Sequence, residues 1–92
     1  MYFEWSEDKN QWLREFRQVS FEAVQMAIQE GGLLDIHDHP NHTKYPLQRR
    51  LVVRIEAYVY LVPCVPKDGD VWFLKTIIPS RKATKEFLGT HE

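Results

Sequence analysis

A chain of 92 residues with 43% hydrophobic and 13% aromatic side chains is long enough for one domain with a single core, and too apolar to stay disordered. Its one cysteine, Cys64, excludes a disulfide framework. The acidic, h-region-free start and the lack of any apolar run near ~18 residues argue against a secretory signal and a membrane span, so the expected compartment is the cytoplasm. The net charge of -1 hides a gradient: residues 1–40 hold eight acids and three bases (-5), residues 41–92 nine bases and five acids (+4). A basic second half suits a polyanion or an acidic protein partner, although such runs also serve as plain solvated faces.

Taken in chain order, Met1 to Trp5 alternates as a short strand. Ser6 then caps a helix with Glu7 and Asp8 in its first turn and Trp12, Leu13 and Phe16 as its apolar stripe. Ser20 opens a second helix with Phe21, Val24, Ala27 and Ile28 on one face, ended by Gly31 and Gly32. Leu33, Leu34 and Ile36 form a short strand that runs into the polar segment HDHPNHTKYP. From Leu47 to Ile78 the pattern is β: LQRRLVVRI, AYVYLVPCV and VWFLKTII, joined at Glu56-Ala57 and at the turn Lys67-Asp68-Gly69-Asp70. Tyr58 to Val65 is apolar on both faces and so reads as the central strand, in spite of Pro63 and Pro66. Pro79 stops the last strand, Ser80 caps a short helix ATKEFL, and Gly89 closes it. The expected architecture is α+β in a single domain over residues 1–92: two N-terminal helices packed on an antiparallel sheet of about four strands, with a short C-terminal helix. Helices divided between both faces is the alternative.

Several stretches in this order resemble the BrnT family, the toxin half of a type II toxin-antitoxin pair: FEWSEDKN at 3–10, VSFEAV at 19–24 and IIPSRKATKE at 77–86. In that family a first strand F-x-W-D leads to a helix with Lys and Asn, V-S-F-E opens the second helix, and the last strand ends in S-A-R-[RK]-A-T. The chain departs from the pattern at Arg17-Gln18, where the family has His-Gly, and at Pro79, where it has S-A-R in place of P-S-R. Residues 31–56 show no match. The resemblance implies a RelE-like fold and a cytoplasmic, metal-independent endoribonuclease that needs no cofactor. It also implies action on RNA, ribosome-associated or free, that inhibits translation, and a cognate antitoxin, a ribbon-helix-helix dimer, that neutralises the toxin. A non-catalytic basic module that docks an acidic antitoxin or nucleic acid is the competing reading, favoured by the missing histidine.

Cleaving RNA through its own 2'-OH requires a group to take a proton, a group to give one, and cations on the phosphate. Arg81 and Lys82 fall in the first turn of the last helix, where cations oppose the helix dipole, and with the free N-H groups beside Ser80 they would make an anion cradle. Extension into water is the plain alternative. Alternation sends Arg50 and Arg54 to one strand face and Arg49 to the other. Lys75 and Arg81, six residues apart, share a face up to Pro79. The expected phosphate-facing set is Arg54, Lys75, Arg81 and Lys82, with Lys44, Arg49 and Arg50 as further RNA contacts; a solvated face accounts for Arg54 and Lys75 equally. The segment His37-Asp38-His39-Pro40-Asn41-His42 could hold zinc with Asp35 and Asp38, is no recognised metal motif, and is commonly a turn. His39, stiffened by Pro40, is the candidate acid or base. Trp72, beside the hairpin turn, is the candidate stacking platform, although aromatics in alternating strands more often belong to a core.

Overall fold

A serine cap opens each of the three helices. In the computed structural model, which describes residues 1–89, Ser6, Ser20 and Ser80 sit in extended backbone and their hydroxyls accept from the N-H of Lys9, Ala23 and Ala83. The elements are β1 (Tyr2–Trp5), α1 (Glu7–Arg17), α2 (Phe21–Gln29), β2 (Leu33–Asp38), β3 (Arg49–Ile55), β4 (Tyr58–Lys67), β5 (Val71–Leu74), β6 (Ile78–Pro79) and α3 (Arg81–Leu88). The fold is α+β, with three helices and a six-stranded mixed sheet. The order is β1-β5-β4-β3-β2, with β6 also on β4. Pairing is antiparallel except for β1, which lies parallel to β5. No helix is long and apolar enough to cross a membrane among the described residues.

Two details differ from the expected sheet of about four antiparallel strands. The first strand joins the sheet edge in parallel, which makes the sheet mixed. The stretch VWFLKTII divides into β5 and β6 instead of running through. Opposite that interruption lies Pro63, whose carbonyl accepts from Lys75 N at 2.8 Å and therefore points toward β5 and β6. In a strand the N of a residue points the same way as its carbonyl, so Pro63 has no N-H to offer where the ladder would continue. Further along the interruption, the carbonyl of Ile77 accepts from Arg17 Nη1 at 2.8 Å.

The helices also divide between the two faces. On one face α1 and α2 press Leu13, Phe21 and Val24 onto Leu51, Val53, Val62 and Leu74. On the other, α3 lays Ala83, Phe87 and Leu88 over Val52, Val59 and Leu61. The period-two alternation of β3 and β4 supplies both sets, as a central strand apolar on both sides requires. Arg49 to Ile55 and Tyr58 to Lys67 meet at the two-residue turn Glu56-Ala57, where Arg54 Nε donates to Glu56 O at 2.8 Å.

The joint between α1 and α2 is polar and closed. Asn10, fully buried, accepts from Phe21 N at 2.8 Å and donates to Glu22 Oε1 at 2.8 Å, while Arg14 Nη2 lies 3.0 Å from both Glu22 oxygens. These bonds, Asn10 first, hold the Glu22 carboxyl below its ordinary pKa. Between α2 and β2 the chain passes so close to β3 that a Cβ on Gly32 would stand 2.6 Å from Arg54 O and 2.8 Å from Ala27 O, a space only glycine fits.

Candidate functional site

Polar chemistry gathers on the α3 face, because the eight residues of α3 cover only part of it. Between α3 and the ends of β2 and β3 lies a cleft of ≈ 250 Å³ lined by His37, Arg50, Ser80, Lys82 and Glu86 over an apolar floor that includes Val52 and Leu61. Alternation places Arg50 on this side, since its neighbours Leu51 and Val53 belong to the opposite core and Val52 to this one. Arg50 Nε is shielded from solvent and meets no hydrogen-bond acceptor among the described residues. A buried donor of this kind gains from an anionic ligand what the protein does not supply.

His37 arrives from β2, and its Nε2 lies 3.0 Å from Asp35 Oδ2, two residues earlier on the same strand face. Asp35 also accepts from Ile36 N at 2.8 Å through its other oxygen. That backbone bond first, and the histidine second, keep the Asp35 carboxyl below its ordinary pKa. The pair fixes the imidazole and leaves Nδ1 as the ring nitrogen not engaged by Asp35. Lys82 comes from the first turn of α3 and Glu86 from one turn later on the same helix face. Ser80 Oγ accepts from Ala83 N, and the amides of Arg81 and Lys82 at the helix start have no hydrogen-bond partner among the described residues.

The expected phosphate-facing set is brought together only in part. Lys82 and Arg50 share the cleft, whereas Arg81 lies outside its lining, in a second hollow on α3 that it shares with Lys82, Lys85 and Glu86. Lys75 lies in the interruption between β5 and β6, so counting alternation through to Arg81 does not apply. Arg54 is at the far end of β3, committed to the Glu56 carbonyl beside Gly31 and Gly32. Arg49 is on the other face with its Nε 3.1 Å from Asp38 Oδ1, and Lys44 sits in the β2–β3 loop 5.4 Å from the Tyr45 ring. His39 is in that loop too: its Nδ1 accepts from Asn41 N and its ring packs against Tyr45 at 4.5 Å. Trp72 packs against the α1 and α2 core and donates to Asp70 at 3.2 Å. Cys64 is buried, and desolvation pushes its thiol up to about 11, the behaviour of a packing thiol.

His37 and Glu86 are the groups the sequence reading missed. The signal for His37 was Asp35-Ile36-His37, an acid and a histidine two apart on a strand and hence side by side. Three histidines in six residues drew attention to the loop instead. No group of three or more His, Cys, Asp or Glu side chains converges as a metal-ligand set among the described residues. The residues that carry the BrnT resemblance have structural jobs: Asn10 and Glu22 join the helices, Ser20 caps α2, and Gln18, at the family's glycine position, has φ 53°. Arg17, at the family's histidine position, holds Ile77 O and lies 5.2 Å from the Trp12 ring, away from the cleft. Comparison with protein-family models, curated proteins and solved structures found no match.

Proposed function

We propose that the chain is a BrnT-like toxin, an endoribonuclease whose scissile phosphodiester binds in the cleft under α3. The observation that carries this reading is the convergence of an unpartnered Arg50 Nε, Lys82 and an Asp35-oriented His37 in one small cleft. Arg50 and Lys82 bind the phosphate oxygens and offset the charge that builds in the transition state. His37 from the sheet and Glu86 from the helix are the two proton carriers. Glu86 takes the proton of the ribose 2'-OH as the 2'-oxygen bonds to phosphorus. The bond from phosphorus to the 5'-oxygen then breaks, and protonated His37 gives that oxygen its proton, leaving a 2',3'-cyclic phosphate and a 5'-hydroxyl.

By the same resemblance, a ribbon-helix-helix antitoxin neutralises the chain by covering this basic face. Expression of the chain alone is expected to arrest growth and fragment RNA. Lys82→Met and His37→Gln, each with unchanged circular dichroism, lower cleavage by roughly two to three orders of magnitude. Wild-type cleavage by Arg50→Met/Lys82→Met overturns the reading. RNA binding with no strand scission, from wild type as from the variants, would leave the binding module as the function.

A further inference from the structure

We propose that the half of the sheet face left uncovered by α3 is a stacking platform for single-stranded RNA that leads into the cleft. The inference rests on the reading of the cleft given above and adds the form of RNA that the site accepts.

The apolar side chains of α3 pack on Leu34, Val52, Val59 and Leu61, and nothing from β1 or β5 joins them. Beyond that contact the same face continues onto the second half of β4, then β5 and β1. Register places Tyr2 beside Val71, Val71 beside Lys67, Glu4 beside Phe73, and Phe73 beside Val65. Phe3 and Trp5 belong to the opposite core, so Tyr2 and Glu4 project here, and Tyr2 is 70% exposed. Pro63, two residues from Val65 on this face, pairs with Arg50 and so connects the open half to the cleft. From Tyr2 to Arg50 the path crosses three strand spacings, roughly 14 Å, and moves four residues along β4, from Lys67 to Pro63, roughly 13 Å more.

The chemistry of the row matches a polyanion that carries flat rings. Tyr2 is an exposed aromatic ring and Phe73 a half-buried one beside it, and rings of this kind stack bases of any identity. Lys67 lies 5.9 Å from the Phe73 centroid, and Lys75 is exposed at the rim where its N-H bonds Pro63. Glu4, the acid within the row, is already engaged by Lys67 at 3.0 Å. Lys67 and Glu4 offset each other, which leaves Lys75 as the cation of the row, on the side where Pro63 pairs with Arg50. An A-form duplex keeps its base faces stacked inside the helix and presents only a shallow groove and phosphates, whereas a single strand can lay bases on the rings. The platform therefore selects unpaired RNA and delivers its backbone to the cleft.

Fluorescence anisotropy with a short fluorescein-labelled 2'-O-methyl oligoribonucleotide, which lacks the attacking hydroxyl, measures binding apart from cleavage. Tyr2→Ala and Phe73→Leu are each expected to weaken single-strand binding about tenfold. Tyr2→Phe and Phe73→Trp, which keep a ring, restore it, and the same strand annealed to its complement binds weakly to all of these chains. Tyr2→Ala and Phe73→Leu with wild-type single-strand affinity, while Lys82→Met binds less well, would overturn the platform and leave the cleft reading standing. A wild-type chain that binds no RNA overturns both.

Discussion

The two faces of the sheet differ in how completely they are covered. Two helices with 11 and nine residues seal one face, and most of its polar groups are engaged: Asn10 between α1 and α2, Arg17 on Ile77 O, and Arg49, whose Nε makes no hydrogen bond but lies 3.1 Å from the Asp38 carboxylate. The other face has one eight-residue helix, and there donors stay open among the described residues: Arg50 Nε, Lys82, and the amides at the start of α3. In a domain of this size the first face supplies most of the folding free energy, and the second can hold charges that bind something else. Stability and chemistry should therefore separate by face, and substitutions can break or sharpen that division.

The largest losses are expected on the sealed face. Leu13, fully buried among Phe21, Val24 and the sheet, should cost about 3 to 4 kcal/mol when changed to Ala, measured by urea unfolding. That is a large share of a total stability on the order of 5 to 15 kcal/mol. Asn10→Ala strips Phe21 N of its acceptor and Glu22 of its donor, and should cost about 1 to 3 kcal/mol. A Leu13→Ala chain as stable as wild type would mean that the α3 face carries more of the fold than its coverage allows.

A smaller effect on the same face depends on pH. Glu22 has a folded pKa held below its ordinary value, chiefly by Asn10, with burial opposing and Arg14 assisting. Its contribution is complete above the usual glutamate range near 4.5 and disappears as pH falls through that range and the lowered folded value. Because the side chain is 52% exposed, solvent screens the contribution to well under about 1 kcal/mol. Glu22→Gln should flatten this part of the acid limb of the stability profile, and an unchanged slope would show that the joint works without the charge.

Legibility in the sequence followed the range of the interactions. All three helix starts, the two-residue turn at Glu56-Ala57 and the central place of the strand over Tyr58 to Val65, which runs on to Lys67, were readable, because caps, turns and alternation act over a few residues. The parallel docking of β1 on β5 depends on contacts some seventy residues apart and left no local mark. The side of the sheet that α3 takes was likewise open. At the site, Arg50, Lys82 and Arg81 were visible as charges out of place, but their grouping depended on the strand break at Lys75–Ile77, which Pro63 imposes from the neighbouring strand. His37 was passed over for His39 because loop density was weighed above strand geometry.

On the α3 face itself, removing charge should leave the fold alone. Arg50→Met/Lys82→Met is expected to change stability by no more than about 0.5 kcal/mol while cleavage disappears. Arg81 takes the division one step further, because it stands in the first turn of α3 against the helix dipole with an unpartnered amide. Arg81→Glu puts a negative charge where the backbone presents positive ends, and should raise stability by about 0.3 to 1 kcal/mol, read as a higher urea midpoint with the same slope. The same substitution puts a negative charge in the hollow that Arg81 shares with Lys82, beside the cleft, and should weaken binding of the labelled oligoribonucleotide. A chain that becomes more stable and binds RNA less well would show that the cation is kept there against the interest of the fold. If Arg81→Glu lowers stability, Arg81 is held by packing on α3, and the separation of chemistry from folding ends one residue short of the cleft.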